Sequence, residues 1–297
     1  VKMDVLCIGH ASYDLVFSVP HHPGEDEKCV ATDFVGCGGG PAANAAVTVT
    51  RLGRRGAFAG YLGRDLHGQA HWQELRDDGV ATDWIVRGDS PTPLSTVLVK
   101  PDGRRALVNY RGDTRPLSPG ALDLSRTAPA CVLYDGHEPE LSLHWHPRFR
   151  QQGIATVLDA GSLHRGTEAL MFAVDYLLAS RKFAAQWLGR DDPEAALSAL
   201  AQRSPAVVIT LGEAGLIWQR GSRRGRLPAF PVRAVDTTGA GDTFHGAFCV
   251  ALVEGRDWET ALRFASAAAA LCCTRMGARP GIPRRRAVEA LLAGGSV

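Results

Sequence analysis

The chain has 297 residues, 45% of them hydrophobic, enough to bury a sizeable core as one large domain spanning 1–297. Its 33 Lys and Arg stand against 31 Asp and Glu, a formal net charge of +2, so the electrostatic footprint of a dedicated nucleic-acid binder is missing. No window approaches the roughly 18–20 uninterrupted apolar residues of a membrane span, and no basic stretch followed by an apolar signal run opens the sequence. The expectation is a cytoplasmic protein that binds neither nucleic acid nor membrane.

In chain order, short apolar runs recur at "DVLCIG" (4–9), "AFAGYLG" (57–63), "CVLYDG" (131–136), "TVLDAG" (156–161), "DYLLAS" (175–180) and "VVITLG" (207–212). Most close on glycine or a small polar residue and alternate with helix-length segments, the pattern of buried parallel strands joined by crossovers. The first helix is predicted over "PAANAAVTVTRLG" (41–53), with Pro41 suited to an opening turn and Gly53 to a stop. Residues 14–36 and 92–112 break the pattern: they alternate apolar and polar, with a turn at "KPDGRR" (100–105). Strands of that kind have one wet face, so these segments are expected to form a small β-sheet lid outside an α/β, doubly wound, mostly parallel sheet with helices on both faces.

Seven scattered cysteines without a C-x-x-C pair read as reduced thiols, with Cys272 and Cys273 as small core residues. Arg223, Arg224 and Arg226, and then Arg284 to Arg286, read as a solvated loop or helix start. His144 and His146 lack an evident third metal ligand and read as a solvated loop.

The chemistry concentrates in "DTTGAGDTFHGAF" (236–248). From Asp242 onward, Phe244, Ala247, Phe248, Ala251 and Leu252 fall at helical spacing, and Gly255 follows as a terminator. The first backbone N–H groups of that helix lack partners and carry the positive end of its dipole, so residues 239–241 are suited to an anion. Gly239 and Gly241 permit close approach of a ligand. Asp242 has two readings, a helix cap or a base beside the anion hole. Gly38 to Ala43 also fit G-x-G-x-x-A, which keeps a dinucleotide-binding oxidoreductase open, although nothing in that reading explains 236–248.

"DTTGAGDTFHGAF" resembles the C-terminal signature of the ribokinase-like carbohydrate kinases, the PfkB family, and "GCGGGPAANAAVTVTRLG" (36–53) resembles the family's N-terminal glycine signature. "GYLGRDLHG" (60–68), "VVITLGEAG" (207–215) and "TRMGARPGIP" (274–283) extend the similarity in order along the chain. The resemblance implies ATP-dependent phosphorylation of a hydroxymethyl group of a small sugar or nucleoside, by a homodimer. Asp242 is then the catalytic base, and the amides of Gly239, Ala240 and Gly241 are the anion hole. Asp14, Gly39, Gly40 and Asn44 resemble sugar-hydroxyl contacts, although Asp14 also reads as a turn residue and Asn44 as a helix cap. Thr210, Gly212 and Gly215 resemble nucleotide contacts, with the adenine near Ala268 and Cys272, and Thr210 also reads as a core residue.

Magnesium is expected with ATP, but Ser180 and Phe183 stand where many relatives carry an Asn-x-x-Glu pair. Asp236 and Thr238 match positions used by potassium-activated members, whereas Gly281 replaces a helpful serine. "GGGPAA", "NYRGDTRPL" and "RFASAAAALCCTRMGARPGIP" look closer to bacterial sulfofructose kinases, and "LASRKFAAQWLG" is similar to ketohexokinases, which implies a ketohexose or its derivative. If Lys28, Asn109 and Arg111 converge, they meet an acidic or strongly polar substituent at the far end of that acceptor, with His137 and Glu138 where an arginine holds the sulfonate in the sulfofructose kinases. A catalytically silent sugar sensor of the same fold is the other reading, and the intact Asp242 and glycines argue against it.

Overall fold

A computed structural model describes residues 3–295. The elements run β1 (Val5–Ile8), β2 (Ser12–Ser18), β3 (Asp33–Gly39), α1 (Pro41–Arg51), β4 (Gly56–Gly63), α2 (Leu66–Asp77), β5 (Ala81–Gly88), β6 (Leu94–Val99) and β7 (Arg105–Tyr110). They continue with β8 (Cys131–Tyr134), α3 (Pro139–Gln151), β9 (Ala155–Ala160), α4 (Arg165–Leu170), β10 (Tyr176–Ser180), α5 (Arg181–Leu188), α6 (Pro193–Leu200), β11 (Ala206–Thr210), β12 (Leu216–Arg220) and β13 (Arg223–Leu227). Four helices close the chain: α7 (Ala240–Val253), α8 (Trp258–Cys272), α9 (Ala278–Gly281) and α10 (Arg285–Leu292).

The nine-stranded sheet has the order β13-β12-β11-β10-β9-β8-β1-β4-β5. From β11 to β5 every neighbouring pair is parallel, and only the β11-β12-β13 edge is antiparallel. Alternation along one strand shows how both faces are covered. Val5 and Cys7 of β1 pack into the core formed with α1, α7 and α8, while Leu6 and Ile8 pack into a second core with α3 to α6. The doubly wound architecture read from the sequence is the one observed.

The expected lid is a separate four-stranded sheet of order β3-β2-β6-β7. Cross-strand rows fix its two faces. Asp14, Ser95 and Asn109 form one row, and Val16, Val97 and Leu107 the next, on the face toward the body. Leu15, Thr96 and Val108, with Phe17, Phe34 and Tyr110, lie on the other face. Val16 and Val97 are fully buried, whereas Phe34, Val108 and Tyr110 are exposed.

Three local expectations change. Arg223, Arg224 and Arg226 lie on the edge strand β13, where Arg224 and Arg226 pair with Glu194 and Arg223 with Glu259. Charge of that kind blunts an open sheet edge. His144 and His146 lie on helix α3, and His146 is buried with Nε2 3.1 Å from the Ala173 carbonyl. Among the described residues no group of three or more His, Cys, Asp or Glu could hold a metal ion. Gly38 and Gly39 belong to the antiparallel lid strand β3, so the G-x-G-x-x-A stretch does not join a parallel core strand to its helix, as a dinucleotide site requires.

Candidate active site

Helix α7 begins where the sequence places its anion hole. Gly239 is the residue before the first turn, in the left-handed region at φ 79°, and a Cβ there would come within 2.6 Å of the Ala278 Cβ. Ala240 and Gly241 follow as the first two helical residues, so their N–H groups face out of the helix end. Gly241 is exposed, and a Cβ on it would find its nearest neighbour, His245 Cε1, 4.0 Å away.

Asp242 is the third residue of α7 and makes no capping hydrogen bond; its Oδ2 instead accepts from Asn44 Nδ2 at 2.8 Å. The cap alternative is therefore overturned, together with its lowered pKa. Burial at the foot of the cleft and the negative charge of Asp159 push the Asp242 carboxyl up to about 6, against the Asn44 hydrogen bond and the positive charges of His245 and Arg105. A carboxylate at that level is a stronger base than an ordinary one.

Asn44 is not a cap either. It is buried in the first turn of α1, and its Oδ1 accepts from Arg279 Nη2 at 3.3 Å and Nε at 3.4 Å. Arg279, 4% exposed, also places Nη2 3.0 Å from His71 Nε2 and Nη1 3.7 Å from Glu74. This chain of contacts turns the Asn44 amide so that its NH₂ group faces Asp242. Asp14 lies within strand β2, not in a turn, and accepts from Ser12 Oγ at 2.9 Å. Burial pushes its carboxyl up to about 6, and the charge of Asp242 adds to the rise. The glycines of β3 make room for these groups: a Cβ on Gly39 would lie 2.2 Å from Asp14 Oδ2, and one on Gly38 would lie 2.4 Å from the His71 ring. Gly40, at φ 92°, lets the chain pass the His10 carbonyl.

Two buried acids organise the opposite wall. Asp135, at the end of β8, accepts from the backbone N–H of His10 at 2.7 Å, His137 at 2.9 Å and Ala42 at 3.2 Å, fixing the start of α1. Asp159 lies 3.1 Å from His245 Nδ1. Burial alone would depress the His245 imidazolium, but Asp159 and Asp242 outweigh it and raise its pKa.

Of the expected anion-reading residues, the lid brings two to the site. Asn109 accepts from Ser95 Oγ at 2.9 Å in the Asp14 row. Arg111 directly follows β7, and its charge, with that of His137, adds to the burial that lowers the His10 and His164 pKa values, the latter to about 4. His137 stacks on His164 with ring centres 4.6 Å apart and lies 5.1 Å from His10. Glu138 is buried, accepts from the Leu117 N–H at 2.5 Å and is pushed up to about 8 by burial. Lys28 does not converge: it is exposed in the loop between β2 and β3 and makes no hydrogen bond or ion pair among the described residues.

Among the residues expected to meet a nucleotide, Thr210 ends β11, with Oγ1 3.4 Å from the Ala179 carbonyl, and Gly212 and Gly215 turn the chain at φ 63° and 84°. A Cβ on Gly215 would lie 2.1 Å from the Leu227 carbonyl, so this turn abuts residues 227–229. Ala268 and Cys272 are fully enclosed, with the Cys272 thiol directed at the carbonyls of Thr238 and Ala278. They offer no surface to an adenine. The open side of α8 is at Arg263 and Ser266, which line a cleft of about 160 Å³ with residues 227–231.

Asp236 is fully buried; Oδ1 accepts from Thr238 N at 2.8 Å and Oγ1 at 2.6 Å, and Oδ2 from Gly277 N at 2.8 Å. These bonds shape the loop before the start of α7. Sequence reasoning missed Arg279, Asp135, Asp159, His245 and Arg105. Only Arg279 carried a usable signal, a charge inside the otherwise small and apolar "MGARPGIP".

The model of the pfkB family carbohydrate kinases matches residues 2–285. The ribokinase of Bacillus subtilis (strain 168) is 33% identical, over 97% of this chain and 99% of that protein. A probable fructokinase-4 of Arabidopsis thaliana is 32% identical, over 89% of this chain and 90% of its own length. The solved structure of the Arabidopsis thaliana ribokinase complexed with ribose and ATP superposes with a TM-score of 0.85 at 28% identity, over 98% of this chain and 99% of the other.

Proposed function

Since this chain belongs to the pfkB family of carbohydrate kinases and is an ATP-using sugar kinase, we propose that Asp242 is its general base and that the N–H groups of Gly239 to Gly241 receive the transferring phosphoryl group. The carrying observation is the pairing of Asp242 with Asn44 at the open end of α7. A hydroxyl seated beside Asp14 and Asn44 gives its proton to Asp242 as its oxygen bonds to the γ-phosphorus. The helix dipole and the amides at the start of α7, of which Ala240 N–H is shared with the Thr237 carbonyl at 3.3 Å, stabilise the charge on the phosphoryl oxygens. Arg279 is a positioning residue here, acting through Asn44.

The donor chemistry fits magnesium. Asp159 supplies a hard oxygen ligand close enough to Asp242 to raise its pKa, and we assign to it the role of holding the ion or its waters. When bound, magnesium neutralises charge between the β- and γ-phosphates. Ser180 cannot share that work, since its Oγ donates to the Gly161 carbonyl and accepts from Phe183 N, and the Phe183 side chain is buried in the core. Asp236 and Thr238 are the residues that would serve a monovalent cation, with the Asp236 carboxylate oriented by Thr238 and Gly277. For the nucleotide, Thr210, Gly212 and Gly215 flank the phosphates, and the cleft at Arg263, Ser266 and Phe230 replaces Ala268 and Cys272 as the adenine seat.

The acceptor we favour is a ketohexose or an anionic derivative such as sulfofructose, read by Asn109, Arg111 and His137 on the lid side. Ribose is the second reading, favoured by the likeness to a ribokinase over nearly the whole chain. ADP release with ATP and magnesium, measured across sugars, sulfosugars, polyols and nucleosides, decides between them. No release with any acceptor overturns the kinase reading in favour of a silent sensor. Arg111→Ala is expected to raise KM for the true acceptor about tenfold with a smaller change in kcat, as loss of a charge-assisted contact made equally in ground and transition states does. Equal loss on matched neutral and anionic ketohexoses would show that Arg111 does not read charge.

The outer face of the lid supports a homodimer. Phe34, Val108 and Tyr110 are 52%, 69% and 56% exposed on one apolar sheet face, the kind of patch a second copy covers. Val108→Asp is expected to convert a dimer into a monomer in light scattering at micromolar concentration; an unchanged mass excludes this face as the interface.

A further inference from the structure

The lid sheet carries a guanidinium to the edge of the anion hole. Arg105 opens β7 on the body-facing side, in the same alternation as Leu107 and Asn109. Its Nη1 donates to Thr237 Oγ1 at 3.0 Å, and Thr237 lies two residues before Gly239. The backbone bond from Ala240 N to the Thr237 carbonyl, 3.3 Å, joins that same residue to the first turn of α7. Arg105 is exposed and has no carboxylate partner among the described residues, in contrast to Arg104, which has Asp102 within 3.9 Å. A hydroxyl is a weak partner for a guanidinium with five N–H donors, so most of its capacity is unused.

The body cations near Asp242 are committed to other partners, and Arg233 of the body lines the gap beside the lid. Arg279 is buried on the far side of Asn44, and His245 lies beneath Asp242 between Asp159 and the Leu178 carbonyl. Arg105 is the cation of the lid whose charge already reaches Asp242 and holds its pKa down. Beside the contact of Met276 with Val16, Val97 and Val99, a cleft of about 420 Å³ lies between lid and body, lined by Val99 and Lys100 of the lid and by Arg233, Val235 and Met276 of the body.

We propose that Arg105 is a catalytic residue carried on the lid, which exchanges Thr237 Oγ1 for oxygens of the γ-phosphoryl group when nucleotide and acceptor are bound. The proposal rests on the kinase reading of the Asp242 site and adds a component to it. In the step, the acceptor oxygen bonds to the γ-phosphorus, its proton passes to Asp242, and the bond from phosphorus to the β–γ bridging oxygen breaks, leaving the electron pair on ADP. Arg105 forms and breaks no covalent bond. Its planar fork matches two phosphoryl oxygens and compensates the charge spread over them, the role a trans-acting arginine has in other phosphoryl transfers. Delivery by the lid also ties that compensation to closure, so charge is supplied only over an occupied acceptor site.

The test uses Arg105→Ala and Arg105→Lys in the full-length chain. Arg105→Ala is expected to lower kcat by on the order of 10²–10³ while KM for the sugar changes less than about threefold, and Arg105→Lys to recover part of the loss. Methylguanidine at tens of millimolar is expected to raise the rate of Arg105→Ala and not that of the unaltered enzyme. A second arm needs no acceptor: a non-hydrolysable ATP analogue is expected to bind Arg105→Ala about tenfold more weakly, with ADP affinity nearly unchanged. If kcat stays within threefold, or ATP analogue and ADP lose affinity equally, Arg105 is a lid latch and the proposal falls. Failure of the unaltered protein to phosphorylate any sugar would count against the kinase reading, and the nucleotide arm would still decide on Arg105.

Discussion

Asp242→Asn is expected to lower turnover by about 10² to 10⁴ while ATP affinity stays nearly intact, because the change keeps shape and removes the proton acceptor. The structure sharpens the expectation, since Asp242 makes no cap whose loss would disturb α7, and the amide oxygen of the substituted side chain can still accept from Asn44 Nδ2. The pH profile gives an independent reading. With the Asp242 pKa at about 6, kcat in the unaltered enzyme is expected to fall tenfold per pH unit below that value, and the residual rate of Asp242→Asn to lose this limb. Stability moves the opposite way. A folded-state pKa raised from 3.8 means that the ionised form is disfavoured in the fold, a cost that is full above about pH 6 and gone below about pH 4. Asp242→Asn is therefore expected to be more stable than the unaltered protein at pH 8, by on the order of 2 kcal/mol, with the difference vanishing at pH 4. Near-normal turnover, or a variant less stable at pH 8, would show that Asp242 serves the helix and not the reaction.

What the sequence reveals and what it withholds divide along a physical line. The strands β1, β4, β8, β9, β10 and β11 are legible because they are buried on both faces and read as unbroken apolar runs. Strand β5 is a sheet edge with mixed residues, and β13 is an arginine-rich edge, so neither has the pattern of a buried strand. The lid is legible through alternation, which also tells which residues share a face once the register is known. The candidate anion hole is legible because a helix start and its glycines are local. The supports of that site are not local: Arg279 meets Asn44 across 235 positions, and Arg105 meets Thr237 across 132. A charged residue in a sequence looks alike whether it ends in water or in a buried contact, so Arg105 is hidden in the turn "KPDGRR", while Arg279 shows only as a lone charge in an apolar stretch. The burial of Ala268 and Cys272 is hidden for the same reason in reverse. The sequence does not say which side of α8 faces the core; Ala268 and Cys272 are enclosed, and the open side holds Arg263 and Ser266.

Gly241→Val is expected to reduce turnover by at least about 10³ with little loss of thermal stability. The second half follows from geometry. Gly241 is within the first turn of α7 with ordinary helical dihedrals, it is exposed, and the space beyond its missing Cβ is open to 4.0 Å. A branched side chain there strains nothing in the empty protein, and glycine is itself a poor helix residue, so the melting temperature should move by no more than a few degrees. The first half follows from what must occupy that open space. If the amides of 239–241 receive the phosphoryl group, the introduced valine puts its two methyl groups where the phosphoryl oxygens approach, which displaces that group from the helix end and from Asp242 together. Gly239 is the contrasting position: at φ 79°, with Ala278 2.6 Å from where its Cβ would be, Gly239→Ala is expected to lower the melting temperature as well as activity. Thermal melts and single-turnover phosphoryl transfer on the two variants separate the roles. Were Gly241→Val to lose its thermal transition, or Gly239→Ala to keep it while Gly241→Val kept its activity, the exposed amides of α7 would be a structural helix end and the phosphate would have to be received elsewhere.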